Sequence, residues 1–202
     1  MKPVGVLIAG GTSRRMGGED KRFAEVGGEP IALAVLRKLR GACGRVLVAV
    51  ADPADAARFP GAEAVRDAAP DAGPLGGLVA ALEASDGDVH LVVAADLPFL
   101  DPRVLLRIAG LLGDADAAVP RTPRGLEPLH AAWRRRALPA ARAALERGAL
   151  AMEALARSLP ARIVEPAAWR DLDPEDLSFR NVNTPAQLAA ARRRVDRATR
   201  AH

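Results

Sequence analysis

The feature that most constrains this chain is an apolar run, Val4 to Ala9, that leads directly into a glycine-rich loop ending at Lys21. Such a run followed by glycines is typical of a buried first β-strand. Glycine lets the backbone approach a ligand closely, and turns of this kind direct several N–H groups one way. Because Arg15 and Lys21 add positive charge to the same loop, the segment predicts a site for a polyphosphate.

The spacing of this loop matches neither common nucleotide-binding template. No glycine pair gives G-x-x-x-x-G-K-[ST], and no triple gives G-x-G-x-x-G. A turn that only reverses the chain, with its cations in solvent, is the alternative interpretation. Arginine fills most other cationic positions, so the lysine at position 21 favours a specific role.

Apolar runs and helical patterns alternate along the chain. This rhythm predicts an α/β fold, a three-layer α/β/α sandwich with a Rossmann-like, mostly parallel sheet and a mixed edge, in one domain over residues 1–202. The predicted strands are Val46–Val50, Ala62–Arg66, Val89–Ala95, Asp116–Pro120, Pro128–Trp133, Arg162–Glu165 and Phe179–Val182. The predicted helices are Pro30–Arg40, Leu78–Ala84, Ala137–Arg147, Leu150–Leu159 and a last one after Thr184.

Asp96 follows the most strand-like run of the sequence. The next helix has its own opening signal in Asp101-Pro102, so Asp96 is not needed as its cap. Ligands of open α/β sheets bind at the carboxyl ends of the strands, and a carboxylate there is a natural Mg²⁺ ligand. A strand-end aspartate bonded to nearby backbone is the alternative. His130 lies in an apolar context and is interpreted as a structural residue.

Two further segments carry candidate ligand contacts. Gly73-Pro74-Leu75 precedes an apolar helix, where free N–H groups suit an anion, although a tight packing turn explains the glycine equally well. Asn181 and Asn183 stand at alternate positions before a capped helix, so their side chains face one way in an extended segment. Two interpretations stay open for these asparagine side chains: they bind a ligand, or they only stabilise the turn.

Composition narrows the classes of partner. The net charge of +4 favours anionic partners, but tyrosine is absent and only six Phe and Trp residues occur, which argues against nucleic acid. Cys43 is the only cysteine, so a disulfide within the chain is impossible. No apolar stretch is long enough to span a membrane, and we expect a cytoplasmic protein.

The ordered motifs resemble those of the molybdenum cofactor guanylyltransferase family, often called MobA, whose fold is nucleotide-diphosphosugar-transferase-like. The resemblance covers nearly the whole chain. It is carried by Gly10-Gly11, Arg15-Met16-Gly17, Lys21, Gly73-Pro74-Leu75, Asp96-Leu97-Pro98, Glu127-Pro128-Leu129-His130-Ala131 and Asn181-Val182-Asn183-Thr184-Pro185.

The resemblance implies transfer of GMP from GTP to the phosphate of molybdopterin, with release of pyrophosphate. Arg15, Lys21 and Asp96 would be the catalytic residues, with Asp96 as the Mg²⁺ ligand. Arg121, Arg124, Asn181 and Asn183 would contact the acceptor. The nucleotide contacts would be Ile8, Ala9, Gly10, Gly11, Lys21, Asp67, Gly73, Pro74, Leu75 and Asp96.

Some alternatives stay open at this stage. The family often carries an asparagine at a nucleotide contact after the second strand, and the aligned residue here is Ala49, so CTP remains an alternative to GTP. Nucleotidyl transfer to a different small phosphate, by an enzyme of the same fold, also stays open. A non-catalytic GTP-binding regulatory module is a second alternative. We expect a monomer or weak oligomer whose further partners are the enzymes that deliver or receive the cofactor.

Overall fold

The computed structural model describes residues 2–10 and 20–200, with the backbone alone at residue 200. Its strands are β1 Val4–Ile8, β2 Glu25–Val26, β3 Glu29–Pro30, β4 Arg45–Val50, β5 Glu63–Arg66, β6 Val89–Ala94, β7 Ala117–Thr122, β8 Gly125–Leu126, β9 His130–Arg134 and β10 Ala161–Val164. Its α-helices are α1 Ile31–Ala42, α2 Gly73–Glu83, α3 Pro102–Gly110, α4 Leu138–Glu146, α5 Met152–Ser158 and α6 Pro185–Arg200.

An eight-stranded sheet forms the centre, in the order β10-β7-β9-β6-β1-β4-β5, with β8 paired to β7 outside this path. Strands β6, β1, β4 and β5 are parallel to their neighbours in this group. Strand β9 runs antiparallel to both β6 and β7. The carboxyl ends of the four parallel strands therefore meet at one edge of the sheet, and the predicted mixed edge is confirmed.

Each face of the sheet packs against its own helices, because successive strand side chains point to opposite faces. Leu7 of β1 belongs to the core beneath α1, α3 and α6. Its neighbours Val6 and Ile8 belong to the core beneath α2, α4 and α5. The two cores with the sheet between them are the predicted α/β/α sandwich. No helix in the described part of the chain is long and apolar enough to cross a membrane.

Helix α2 begins at Gly73, five residues earlier than predicted. Its glycines allow the helix to approach the sheet closely. A Cβ on Gly77 would lie 2.9 Å from the Cβ of Ala49, and one on Gly76 would lie 2.7 Å from the Cβ of Ala72. Of the glycines that looked like a loop before the helix, Gly77 therefore lies on the face of α2 that packs against the sheet, whereas a Cβ on Gly73 would meet nothing within 4 Å.

Two other segments differ from the predicted strands and loops. The run Phe179–Val182 forms no strand, because a 3-10 turn at Leu177–Phe179 leads into extended chain outside the sheet. The polar segment from Arg121 to Glu127 is mostly a hairpin, since β7 continues to Thr122 and pairs with β8.

Two buried histidines make the stability depend on pH. Burial lowers the pKa of His90 and of His130 to about 4. Because the unfolded side chains keep a pKa near 6.5, the unfolded chain binds protons more readily as the pH falls. We expect the free energy of unfolding to drop between about pH 6.5 and pH 4, by about 3 kcal/mol per histidine.

Urea unfolding at a series of pH values measures this slope. A His90→Phe variant replaces a fully buried imidazole with a ring that does not titrate. It should remove the contribution of His90 to the slope. An identical slope in the variant would show that His90 is not buried in its neutral form.

Candidate active site

Three predicted residues that are distant in sequence meet at the carboxyl edge of the sheet. Lys21 lies 3.3 Å from Asp96, measured between Nζ and Oδ2. The same ammonium donates a hydrogen bond to Oδ1 of Asn183. The loop after β1, the end of β6 and the segment before α6 therefore converge on one lysine.

Backbone hydrogen bonds hold Asp96 in this position. Ala95 donates its N–H to the carbonyl of Ile8 at 3.1 Å, which continues the pairing of β6 with β1. Val182 donates its N–H to the carbonyl of Asp96 at 2.9 Å. The backbone at Asp96 is consequently held by β1 on one side and by the segment before α6 on the other.

The Asp96 side chain is only 13% exposed, and burial raises its pKa while the Lys21 ammonium opposes that rise. Its Oδ1 is buried and has no hydrogen-bond partner among the described residues. An unpartnered carboxylate oxygen fits a hard divalent cation, which prefers oxygen ligands. No cluster of three His, Cys, Asp or Glu side chains suited to a metal occurs in residues 2–10 and 20–200. One carboxylate suits a cation that takes its other ligands from phosphates and water.

Two adjoining cavities share Asp96 as a wall. The first cavity, of about 320 Å³, is lined by Ile8, Gly10, Lys21, Arg22, Gly73, Pro74, Ala94, Ala95, Asp96 and Leu129. The second cavity, of about 370 Å³, is lined by Pro74, Ala94, Asp96, Leu97, Glu127, Pro128, Leu129, His130, Leu150, Ala151, Met152, Phe179 and Asn181. A carboxylate between two cavities can act at the junction of two substrates.

Asp67 directly follows β5 and does not itself line either cavity, although it contacts Gly10, which lines the first. Its carboxylate contacts the backbone of Gly10, where a Cβ would stand 2.3 Å from Oδ2. The Oδ1 atom is buried without a partner in the described structure, and burial raises the pKa of this carboxyl group. Ala49 is fully buried beneath α2, so its side chain faces helix packing rather than a ligand.

The structure brings most of the predicted nucleotide contacts together. Ile8, Gly10, Lys21, Gly73, Pro74 and Asp96 all line the first cavity. Ala9 adjoins it, since its carbonyl accepts a hydrogen bond from Arg22. Leu75 is fully buried in the core beneath α2 and lines neither cavity. Gly11 and Arg15 lie outside the described residues.

The predicted acceptor contacts lie in different places. Asn181 lines the second cavity, and Asn183 contacts Lys21. Arg121 is 3.5 Å from Glu165 of the neighbouring strand end, and it lines neither cavity. Arg124 donates to Glu127 at 3.0 Å and to the Phe179 carbonyl at 2.5 Å, and it lines a separate groove beside α6. A role for the two arginines in acceptor binding stays a prediction.

Sequence reasoning missed Arg22 as a site residue. Its guanidinium pairs with Asp20 at 2.6 Å and with Asp55 at 2.9 Å, and it donates to the Ala9 carbonyl within the first cavity. The adjacent Lys21 was the available signal, because both residues belong to one 3-10 turn capped by Asp20. The pairing with Asp55 joins segments far apart in sequence and has no local signature.

Comparisons with known proteins agree with this architecture. Residues 5–163 match the MobA-like NTP transferase domain. The molybdenum cofactor guanylyltransferase of Desulfosudis oleivorans is 32% identical over 190 residues, which cover 93% of each chain.

Solved structures show the same fold. Molybdopterin-guanine dinucleotide biosynthesis protein A from Archaeoglobus fulgidus has a TM-score of 0.82 at 25% identity, covering 96% of this chain and 99% of that one. The 2-C-methyl-D-erythritol 4-phosphate cytidylyltransferase of Thermus thermophilus has a TM-score of 0.70 at 22% identity, covering 96% and 99% of the two chains. The second likeness shows the fold alone.

These matches confirm the resemblance that the motifs carry. The family match covers most of the chain, and the 32% identity to the bacterial relative extends over nearly all of it. The chain is a nucleotidyltransferase and belongs to the MobA-like NTP transferase family.

Proposed function

We propose that this protein transfers GMP from GTP to the phosphate of molybdopterin and releases pyrophosphate. The observation that carries the proposal is the position of Asp96 and Lys21 at the junction of two cavities. The first cavity takes the nucleotide and the second takes the acceptor. The names of the relatives from Desulfosudis oleivorans and Archaeoglobus fulgidus support the choice of substrates.

The reaction needs positioning and charge neutralisation more than proton transfer. A phosphate acceptor is already an anion, so its oxygen forms the bond to the α-phosphorus of GTP without a protein base. The bond from the α-phosphorus to the bridging oxygen breaks, and pyrophosphate leaves with the electron pair. Lys21 neutralises charge that develops on the phosphates, and the Asp96 carboxylate faces the same point.

Asp96 is the residue that would hold Mg²⁺. When bound there, the ion supplies positive charge between the phosphates and orients them for in-line displacement. The bond from Ala95 to Ile8 of β1 and the bond from Val182 to the Asp96 carbonyl hold the backbone at Asp96, and Oδ1 of this side chain has no hydrogen-bond partner among the described residues.

The second cavity suits a flat, partly polar ring. Its walls include Pro128, Leu129, Met152 and Phe179, which are apolar, together with the amide of Asn181 and the carboxylate of Glu127. A fused heterocycle buries its faces on such walls and directs its edge to the polar groups. This arrangement supports a pterin-bearing acceptor.

Asp67 is our candidate for the residue that reads the base. A carboxylate accepts two hydrogen bonds at once, and the N1–H and N2–H₂ groups of guanine are adjacent donors. Cytosine, adenine and uracil lack that pair. Since Ala49 is buried under α2, the Asp67 carboxylate is the polar group left to read guanine, because its Oδ2 lies against Gly10 and its Oδ1 has no hydrogen-bond partner among the described residues.

Asp67→Asn should therefore weaken selection for guanine. We expect kcat/KM for GTP to fall about thirtyfold, because an amide cannot accept from both donors. ITP, which lacks the 2-amino group, should be about tenfold worse than GTP in the wild type and nearly equal to GTP in the variant. Initial rates of pyrophosphate release with both nucleotides measure this.

Asp71→Asn provides the matched control. Asp71 is exposed, lies four residues from Asp67 and has a left-handed backbone that asparagine tolerates. It should leave both nucleotides unaffected. A GTP-to-ITP ratio that Asp67→Asn does not alter would exclude Asp67 as the base reader.

The test of the function is pyrophosphate release with Mg²⁺ and a molybdopterin acceptor, run in parallel with GTP, CTP, ATP and UTP. Release with GTP alone is the expected result. Release favouring CTP would keep the reaction and replace the donor. GTP binding without release from any nucleotide would favour the regulatory module.

A further inference from the structure

We propose that Ser178 and His130 form a buried brace that positions Asn181 and Asn183 at the active site. The inference rests on the proposed function, because Ser178 and His130 would hold Asn181 in the acceptor cavity and Asn183 against Lys21. We define residues 173–183 as the strap, since this segment crosses from the helical layer to the end of β6.

Hydrogen bonds from backbone N–H groups to the Asp173 side chain hold the first half of the strap in a turn. The carboxylate of Asp173 accepts the N–H of Leu177 at 2.9 Å and the N–H of Ser178 at 2.8 Å. Asp173 is 6% exposed and Ser178 is fully buried. These two bonds form the turn that directs the Ser178 hydroxyl inward.

The Ser178 hydroxyl joins the strap to a helix, α3, and to a strand of the sheet, β9. It accepts the backbone N–H of Asp101, at the start of α3, over 2.8 Å. It also lies 2.7 Å from Nε2 of His130 on β9. The His130 ring packs against Phe179 with a centroid separation of 4.3 Å. One hydroxyl therefore connects α3, β9 and the strap.

The second half of the strap carries the groups that meet ligands. Asn181 lines the second cavity, Val182 donates to the Asp96 carbonyl, and Asn183 accepts from Lys21. Only two residues separate Ser178 from Asn181. Movement of the brace would therefore move both asparagines relative to Asp96.

A buried polar brace selects one geometry in a way that an apolar contact does not. A buried hydroxyl must stay within hydrogen-bond distance of its partners, because leaving them unpaired costs the folded state free energy. His130 serves this purpose without charge, since burial lowers its pKa to about 4 and the ring is neutral at physiological pH.

Ser178→Ala is the principal test, and two properties of this variant are measured: its hydrogen exchange and its KM for each substrate. Hydrogen exchange should accelerate at least about tenfold at Asp101, whose N–H loses its acceptor, and at residues 177–183, because the strap loses its bonds to α3 and β9. Peptides from β6 should exchange as in the wild type. The KM for molybdopterin should rise about tenfold, while the KM for GTP stays within about twofold.

His130 supplies the rescue test. His130→Leu should reproduce the effect of Ser178→Ala, because leucine offers Ser178 no polar partner. His130→Gln should recover most of the acceptor affinity, since a side-chain amide can bond to the hydroxyl. A purely structural role would make both His130 variants equally defective.

Ser85→Ala is the matched control. Ser85 is also buried, and its hydroxyl accepts one backbone N–H, that of Gly87 at 3.1 Å, before the amino end of β6. It should leave exchange in the strap and the acceptor KM unchanged.

Unchanged exchange in Ser178→Ala would refute the brace. Faster exchange with an unchanged acceptor KM would refute its positioning role. A wild-type protein that transfers no nucleotide would refute the proposed function instead, and the exchange data would still decide whether Ser178 and His130 hold the strap.

Discussion

Replacing Asp96 with asparagine is expected to lower kcat for guanylyl transfer about a thousandfold. The amide keeps the shape of the carboxylate but loses its charge and directs an NH₂ group toward either Lys21 or the site of the unpartnered Oδ1. Mn²⁺ binding, followed by electron paramagnetic resonance with GTP present, should weaken in parallel. Single-turnover rates measure the chemical step.

The fold should survive this substitution. Burial raises the pKa of Asp96. The free energy of unfolding therefore falls as the pH rises from the ordinary carboxyl pKa to the raised one, and the ionised side chain keeps this cost at higher pH. A neutral asparagine removes this cost, and the melting temperature at pH 7.5 should not fall. Asp101→Asn is the control, because Asp101 caps α3 and asparagine is an equally good cap. Normal Mg²⁺-dependent turnover in Asp96→Asn would contradict the assigned role.

Replacing Lys21 with methionine should lower kcat/KM for GTP about a hundredfold, because a cation is lost beside the phosphates. The substitution also removes the charge that holds down the pKa of Asp96. Since Asp96 acts ionised, the acid limb of the pH–rate profile should move to higher pH. The measurement is kcat/KM for GTP between pH 5 and pH 9.

Lys38→Met is the matched control for this prediction. Lys38 donates to the Pro98 carbonyl at 2.9 Å and lines none of the cavities around Asp96. It should leave the profile in place. An acid limb that does not move in Lys21→Met, at unchanged kcat/KM, would mean that the 3.3 Å contact between Lys21 and Asp96 has no part in the reaction.

Local patterns in the sequence account for the parts of the site that depend on strand ends. Val4–Ile8 and Val89–Ala94 read as buried strands because each is a nearly continuous apolar run, as parallel strands covered on both faces are. Two parallel neighbours end at the same edge of the sheet. The meeting of the loop lysine with Asp96 follows from that geometry.

Other parts depend on contacts that have no local signature. The glycines before Leu78 suggested a loop, but they lie inside α2. A glycine is needed at position 77 because the helix passes close to Ala49 on β4. Phe179–Val182 has the composition of a strand, yet the bonds of Ser178 to Asp101 and His130 hold this segment outside the sheet. Such features arise from tertiary packing, which overrides strand propensity.

The most direct test of the account follows the label from [α-³²P]GTP and [γ-³²P]GTP in parallel reactions with molybdopterin. We expect the α-label to appear in the dinucleotide formed by GMP and the acceptor, and the γ-label to appear in pyrophosphate. An α-label that ends in free GMP or GDP, with no acceptor-linked product, would contradict guanylyl transfer.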